Sequence, residues 1–230
     1  MGEGIGNEEL LMPFINSANI ACGYHAGDET TMNNVVKLCL QYGINIGAHP
    51  SFPDKENFGR TEMELPLFQI YAIVTTQLEL LNEITKKHGG RMHHVKPHGA
   101  LYNMAAKHTG IAHIIARAVK NFDQSLIYYG LSGSVMIDMA AEEGLLKANE
   151  VFADRTYRED GSLTPRLEAN ALITSVDEMI DQATMLAREN KVTTVTGKKI
   201  DLIADTICIH GDGKHAVEFA KAIYQQLHEK

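Results

Sequence analysis

Val95-Lys96-Pro97-His98-Gly99-Ala100-Leu101-Tyr102-Asn103 is the stretch on which the reading of the fold turns. Ahead of it, Met92 to Val95 has the apolar alternation of a buried strand, and from Ala100 onward the chain reads as helix. Lys96 and His98 therefore stand where a strand ends. Two residues apart, they leave the strand on the same face, while Gly99 lets the backbone turn without a Cβ clash. If this ammonium and imidazole are desolvated, burial and mutual repulsion both drive their protons off toward neutral pH, the range in which acid–base catalysis works. The plain alternative is a surface lysine beside a structural histidine that caps the helix.

Outward from this stretch the same order of strand, loop and helix recurs six times from Ser17. The expected strands are Ser17 to Cys22, Asn45 to Ala48, 92 to 97, Ser125 to Tyr129, about Lys147 to Phe152, and Thr206 to Ile209. The expected helices run from Asp28, as N-cap, to about Tyr42, from Pro66 to about Lys87, and from about Ile111 to Val119. Three more cover Val135 to Glu143, Val176 to Asn190, and the end of the chain to Leu227. The segment Val192 to Leu202 reads as a polar hairpin. Strands alternating with helices predict a parallel sheet with right-handed crossovers. The polar clusters all follow a strand and precede a helix: His25 and Asp28, His49, Lys96 and His98, Ser132 and Ser134, Asp154 and Arg155, His210 and Asp212. A closed barrel would bring these positions together on its C-terminal rim. An open sheet would spread them along an edge. The glycine-bearing turn from Gly130 to Ser134 is either an anion cradle or a plain helix cap. The opening Met1 to Leu10 reads as a glycine-rich loop and is a weak candidate for phosphate binding.

At 230 residues the chain suits one large core, so a single domain over residues 1–230 is expected. A net charge of −8, without a lysine and arginine cluster, argues against nucleic acid. No apolar run approaches the roughly 18 residues of a bilayer span, and no signal segment opens the chain, so no membrane partner and a soluble, cytoplasmic protein are expected. Cys22, Cys39 and Cys208 are an odd, unpaired set and are expected to be buried thiols.

The runs Ser17 to Asp28, Ile46 to Ser51, Phe58 to Arg60, His94 to Asn103, Glu150 to Arg155 and Asp205 to Asp212 resemble the LamB/YcsF family, in the family's order along nearly the whole chain. The resemblance implies a distorted seven-stranded α/β barrel of the glycoside hydrolase/deacetylase type. It also implies the A-subunit role in an ATP-dependent 5-oxoprolinase, which opens the lactam 5-oxoproline to L-glutamate with partner subunits B and C. Family members usually begin with a strand carrying an Asp-x-Asn-x-Asp-like pattern. This sequence starts at Met1-Gly2-Glu3, so that first strand is expected to be missing, with its rim residue.

Opening a lactam needs a nucleophile at an unreactive carbonyl, stabilisation of the oxyanion, and a proton for the departing nitrogen. The candidate catalytic residues are Lys96, His98, His25, His49, Asp154, Arg155 and His210. Candidate substrate contacts are Asn19, Asp28, Tyr102, Asn103, Glu150, Ser132 and Asp212. His25, His49 and His98, with a carboxylate from Asp28, Glu150 or Asp154, would suit a divalent metal ion that activates water, although no His-x-x-x-His pair is present. In a metal-free version Lys96 and Arg155 stabilise negative charge, and His98 or His210 moves the proton. No Walker A pattern occurs, so ATP is expected to be bound mainly by the partners. Apolar faces on the outer helices are compatible with a homodimer. Two alternatives stay open, a stand-alone metal-dependent amidase or carbohydrate deacetylase and a non-catalytic lactam-binding subunit. Dependence on partners and ATP separates the first from the oxoprolinase reading, and binding kept or lost without Lys96 or His98 separates the second.

Overall fold

The computed structural model describes residues 1–213 and 215–228; Lys214, the last residue of the turn expected after the final strand, lies outside them. Two compact units divide the chain, the first formed by Met1–Gly130 with Val135–Lys147 and the second by Leu131–Ser134 with Ala148–Lys230. Both are built of parallel strands and helices, so the fold class is α/β as expected.

In the first unit β1 (Ser17–Ala21), β2 (Asn45–His49), β3 (Met92–Val95) and β4 (Ile127–Leu131) run parallel in that order. Asn19 is level with Gly47 and Gly47 with His94, so these three residues share one face of the sheet. His49 and Lys96 lie two positions further along the same face. Helix formation has local causes. In α2 (Glu29–Tyr42) the Asp28 carboxylate accepts hydrogen bonds from the Thr31 amide and hydroxyl at 2.8 and 2.7 Å, and Gly43 ends the helix in the left-handed conformation. In α3 (Leu67–Lys87) Ile70, Val74, Leu78 and Leu81 make one buried stripe, and each contributes about 1.5–3 kcal/mol by leaving water. That stripe also carries a buried amide, Gln77. It accepts from the Ser51 amide at 3.0 Å and donates to the Ser51 and Ile73 carbonyls at 2.9 Å each, so a helix in the core clamps the loop that leaves β2. The unit also contains α1 (Glu8–Leu11), α4 (Gly99–Ala105), α5 (Thr109–Phe122) and α6 (Val135–Glu142).

The second unit pairs β5 (Leu146–Phe152) with β8 (Thr206–Cys208) in parallel, and β6 (Lys191–Thr193) with β7 (Lys199–Asp201) as the expected hairpin. Helices α7 (Val176–Glu189) and α8 (Ala216–His228) pack together over Ala153, Met179, Ala183, Phe219 and Ile223. Gln182 of α7 donates to the carbonyls of Phe152 and Arg155, at 2.8 Å each, and so ties down the turn after β5.

Some expectations shift. The fourth strand begins two residues late and takes up Gly130 and Leu131, because Asp123 caps the turn at Ser125 with bonds of 2.9 Å to its amide and 2.7 Å to its hydroxyl. The opening loop contains the short helix α1. Cys22 and Cys39 are buried, but Cys208 is only half-buried. No helix among the described residues is long and apolar enough to cross a membrane.

Candidate active site

Three strand ends of the first unit deliver a buried imidazole cluster. His25 follows β1, His49 ends β2, and His98 follows β3; they are 1, 8 and 8 % exposed. The His25 and His98 rings stack with centroids 3.8 Å apart and planes 7° apart, and His49 meets the His98 ring edge-on at 4.7 Å. His98 stands at the N-cap position of helix α4, but its side chain makes no capping bond there. His49 Nδ1 donates to the Lys96 carbonyl at 2.7 Å, and His98 Nε2 donates to the Phe58 carbonyl at 2.9 Å. The two remaining nitrogens, His49 Nε2 and His98 Nδ1, face each other at 3.0 Å.

The loop from Ser51 to Arg60 covers the cluster. Phe58 adopts a positive φ of 57° and sets its ring against both His25 and His98, with the Arg60 guanidinium 4.9 Å above its centroid. The loop holds its shape through Asp54, whose carboxylate takes the amides of Asn57 and Thr61 at 3.3 and 3.1 Å. Close approach there requires glycine: a Cβ on Gly59 would lie 2.8 Å from His25 Cβ, and one on Gly99 would lie 2.3 Å from the Gly59 carbonyl oxygen.

Burial dominates the electrostatics. It pushes His49 well below the ordinary histidine value, with the charges of His98, Lys96 and His25 adding to the effect. His98 is lowered to about 3, first by burial and then by His25, against weaker help from the Phe58 carbonyl and Glu3. Glu3 behaves oppositely. Burial raises its carboxyl, but the α-ammonium of Met1 and the His25 hydrogen bond outweigh burial and hold it at about 2. Its Oε1 lies 3.3 Å from His25 Nε2. Lys96 is 5 % exposed, with its ammonium 5.7 Å from the Tyr102 ring centroid.

One layer deeper, His94 stacks on Tyr129 at 4.2 Å and shares a 3.1 Å hydrogen bond with Asn19 Oδ1. Burial, then His93 and Lys96, lowers His94 to about 3. Its ring lies across Gly47, where any Cβ would stand 2.0 Å from Nε2.

The second unit holds a different arrangement. Asp154 accepts from His210 Nδ1 at 2.8 and 3.0 Å and from the His210 amide at 3.0 Å, which fixes the Nδ1–H tautomer and leaves Nε2 as the basic nitrogen. Burial raises the Asp154 carboxyl, but the charge and hydrogen bonds of His210 hold it below its ordinary value. Arg155 donates through Nε to the Ala171 carbonyl at 3.2 Å and through a terminal nitrogen to the Thr164 carbonyl at 2.5 Å, which closes the loop after β5. Glu150 and Ser132 are buried, and the Ser132 amide donates to the Glu150 carbonyl at 2.9 Å. Ser134 Oγ turns back to the Leu131 carbonyl at 2.7 Å, as in a plain turn.

The residues that come together differ in part from the expected set. Among the described residues the donor atoms that come within 4.8 Å of one another belong to Glu3, His49 and His98. The expected trio had His25 in place of Glu3, but His25 is stacked and bonded to Ser51 Oγ at 2.9 Å. The carboxylate that lies beside His49 and His98 is Glu3, and Asp28 is occupied as a helix cap. Asp28, Asn103 and Asp212 are exposed, whereas Asn19 is half-buried and Tyr102 buried. Sequence reasoning missed Glu3, Ser51, Phe58, Gln77 and His94. For Glu3 the one available signal was its position between Gly2 and Gly4, which take φ of 72° and 81°.

Buried imidazoles and an ammonium at the carboxyl ends of parallel strands define the class, an α/β protein with an enzyme-like polar centre. The chain belongs to the LamB/YcsF family, whose model matches residues 1–230. It is 50% identical over 232 aligned positions to the A subunit of 5-oxoprolinase from Staphylococcus haemolyticus (strain JCSC1435), covering 99% of this chain and 93% of that one. It is also 50% identical to the A subunit of 5-oxoprolinase from Staphylococcus saprophyticus, covering 99% and 92%. The crystal structure of the lactam utilization protein from Thermus thermophilus superimposes with a TM-score of 0.93 at 38% identity, covering 99% of this chain and 93% of that chain.

Proposed function

We propose that this chain is the A subunit of an ATP-dependent 5-oxoprolinase, a hydrolase that opens 5-oxoproline to L-glutamate in the cytoplasm with partner subunits B and C. The observation that carries the reading is the buried set of His25, His49, His98 and Lys96 at three strand ends, in a chain half identical to proteins of that name. Lys96 is the group that stabilises the oxyanion as the lactam carbonyl is attacked, since its ammonium is held in a water-poor site. Arg155 serves in the proposal to hold its own loop rather than to stabilise the oxyanion, because its bonds run to backbone carbonyls. In the second unit His210, oriented by Asp154, is the proton carrier. ATP is bound and used mainly by the partners.

The family's distorted seven-stranded barrel, as one domain, is part of the proposal. Met1 supports it: its nitrogen donates to the Asn19 carbonyl at 2.9 Å and its carbonyl accepts from the Ala21 amide at 3.0 Å, the pattern of a parallel partner for β1.

The test is glutamate formation from 5-oxoproline and ATP by the chain alone and with subunits B and C. Turnover is expected only in the complete assembly, with size-exclusion chromatography showing whether this chain enters it as a homodimer. Turnover by the chain alone without ATP would replace this reading by a stand-alone amidase.

A further inference from the structure

The hydrogen-bond directions around His49 and His98 leave a problem that the lactam reading does not solve. A carbonyl oxygen only accepts, so Lys96 O requires a hydrogen on His49 Nδ1 and Phe58 O requires one on His98 Nε2. A neutral imidazole has a single N–H, and in each ring a backbone carbonyl already takes it. Two lone pairs therefore face each other at 3.0 Å, inside a cluster whose residues are at least nine-tenths buried. Such a contact is repulsive unless an electrophile sits beside both nitrogens.

We propose that Glu3, His49 and His98 bind one first-row divalent transition-metal ion, through Glu3 carboxylate oxygen, His49 Nε2 and His98 Nδ1. Three independent features fit. Nitrogen ligands about 2.1 Å from an ion and roughly 90° apart are about 3.0 Å from each other, the separation that the two histidines show. Each histidine donates its other N–H to a backbone carbonyl, the usual way of orienting an imidazole on a metal. The donor atoms of all three residues lie within 4.8 Å of one another, so the Glu3 side chain needs a shift of less than about 2 Å to complete bonds of this length. Two imidazoles and one carboxylate leave coordination positions open for water or for a carbonyl oxygen, and favour a transition-metal ion over calcium or magnesium. His25 acts outside the ligand set: from Ser51 on one nitrogen to Glu3 on the other, it aims the carboxylate.

The inference deepens the reading of the same site, but its test does not depend on turnover. The chelator-treated full chain is titrated with Co2+ near neutral pH, read by visible absorption and by bound metal per chain. Expected are one ion per chain and a d–d band, at least tenfold weaker affinity in Glu3→Gln and His98→Asn, and an intermediate loss in His25→Ala. His93→Ala, outside the ligand set, leaves affinity unchanged. Circular dichroism confirms folding of each variant; if one does not fold, a change of the band in Glu3→Asp reads the same ligand. Absence of saturable Co2+ binding by the wild-type chain overturns the proposal, as does affinity indifferent to Glu3 and His98. Nitrogen NMR showing a shared proton between His49 and His98 in the metal-free chain, with no metal taken up, also overturns it. A positive titration with no 5-oxoproline turnover in the full assembly would instead sink the lactam reading alone.

Discussion

His25 and His98, 73 positions apart by their numbers, lie face to face with centroids 3.8 Å apart and planes 7° apart. The stack joins the turn after β1 to the turn after β3, and Phe58 closes over both rings. His25→Ala is expected to lower stability by about 2–4 kcal/mol through the void it leaves. His25→Phe should recover at least half of that loss, because an aromatic ring keeps the stack. Urea denaturation of the two variants checks this, and equal losses would show that the stack contributes nothing.

Lys96 is buried beside Tyr102 and is the positive group placed to meet negative charge at the strand ends. Lys96→Met keeps the hydrocarbon stem and removes the ammonium. In the complete assembly it is expected to reduce glutamate formation at least about 100-fold with little change in melting temperature, as for loss of an oxyanion donor. Wild-type turnover in this variant would remove Lys96 from the chemistry.

Gly47 makes room for His94, which lies over it and bonds to Asn19. Gly47→Ala puts a methyl carbon 2.0 Å from the imidazole before relaxation and is expected to destabilise by about 1–3 kcal/mol. The double variant Gly47→Ala with His94→Ala should be more stable than the sum of the single effects predicts. A double-mutant cycle measures it, and strict additivity would contradict the packing account.

Asp154 is held below its ordinary value of 3.8 by His210, despite burial. A depressed carboxylate contributes stability that is present above its unfolded value and disappears as the pH falls through the folded one. Wild-type stability should therefore fall on acidification below about pH 4 more steeply than that of Asp154→Asn. The variant itself should cost about 1–3 kcal/mol at neutral pH, because the charge and one of the two acceptor oxygens that His210 uses are replaced by an NH2 donor. Parallel acid-denaturation curves for the two proteins would refute the pairing.

Cys22 and Cys39 are buried, and burial pushes both thiols up to about 12, whereas Cys208 is half-buried. Iodoacetamide on the native chain near neutral pH should label Cys208 first and leave the other two until denaturant is added. Mass spectrometry of the labelled peptides shows the order, and early labelling of Cys22 would contradict its burial.

The order of strands and helices was written in the sequence, since apolar periodicity, the Asp28 cap and the glycine after α2 act over a few neighbouring residues. The same local grammar placed His25, His49, Lys96 and His98 at strand ends, because a polar residue directly after a buried strand has few other places to go. Tertiary structure alone decided what those side chains do. The contacts of His25 with Ser51, His98 with Phe58, His49 with Lys96 and His98 with His49 span 26, 40, 47 and 49 positions. No short-range pattern records such pairs. Glu3 stands in a loop without periodicity and reaches the histidines only because Met1 aligns with β1. Asp28, by contrast, was equally eligible by residue type but is taken up by the helix that follows it. Residue type and strand position determined which groups were available; the packing of loops distant in sequence determined their partners, since a hydrogen bond or a shared ion depends on ångström distances that chain order does not contain.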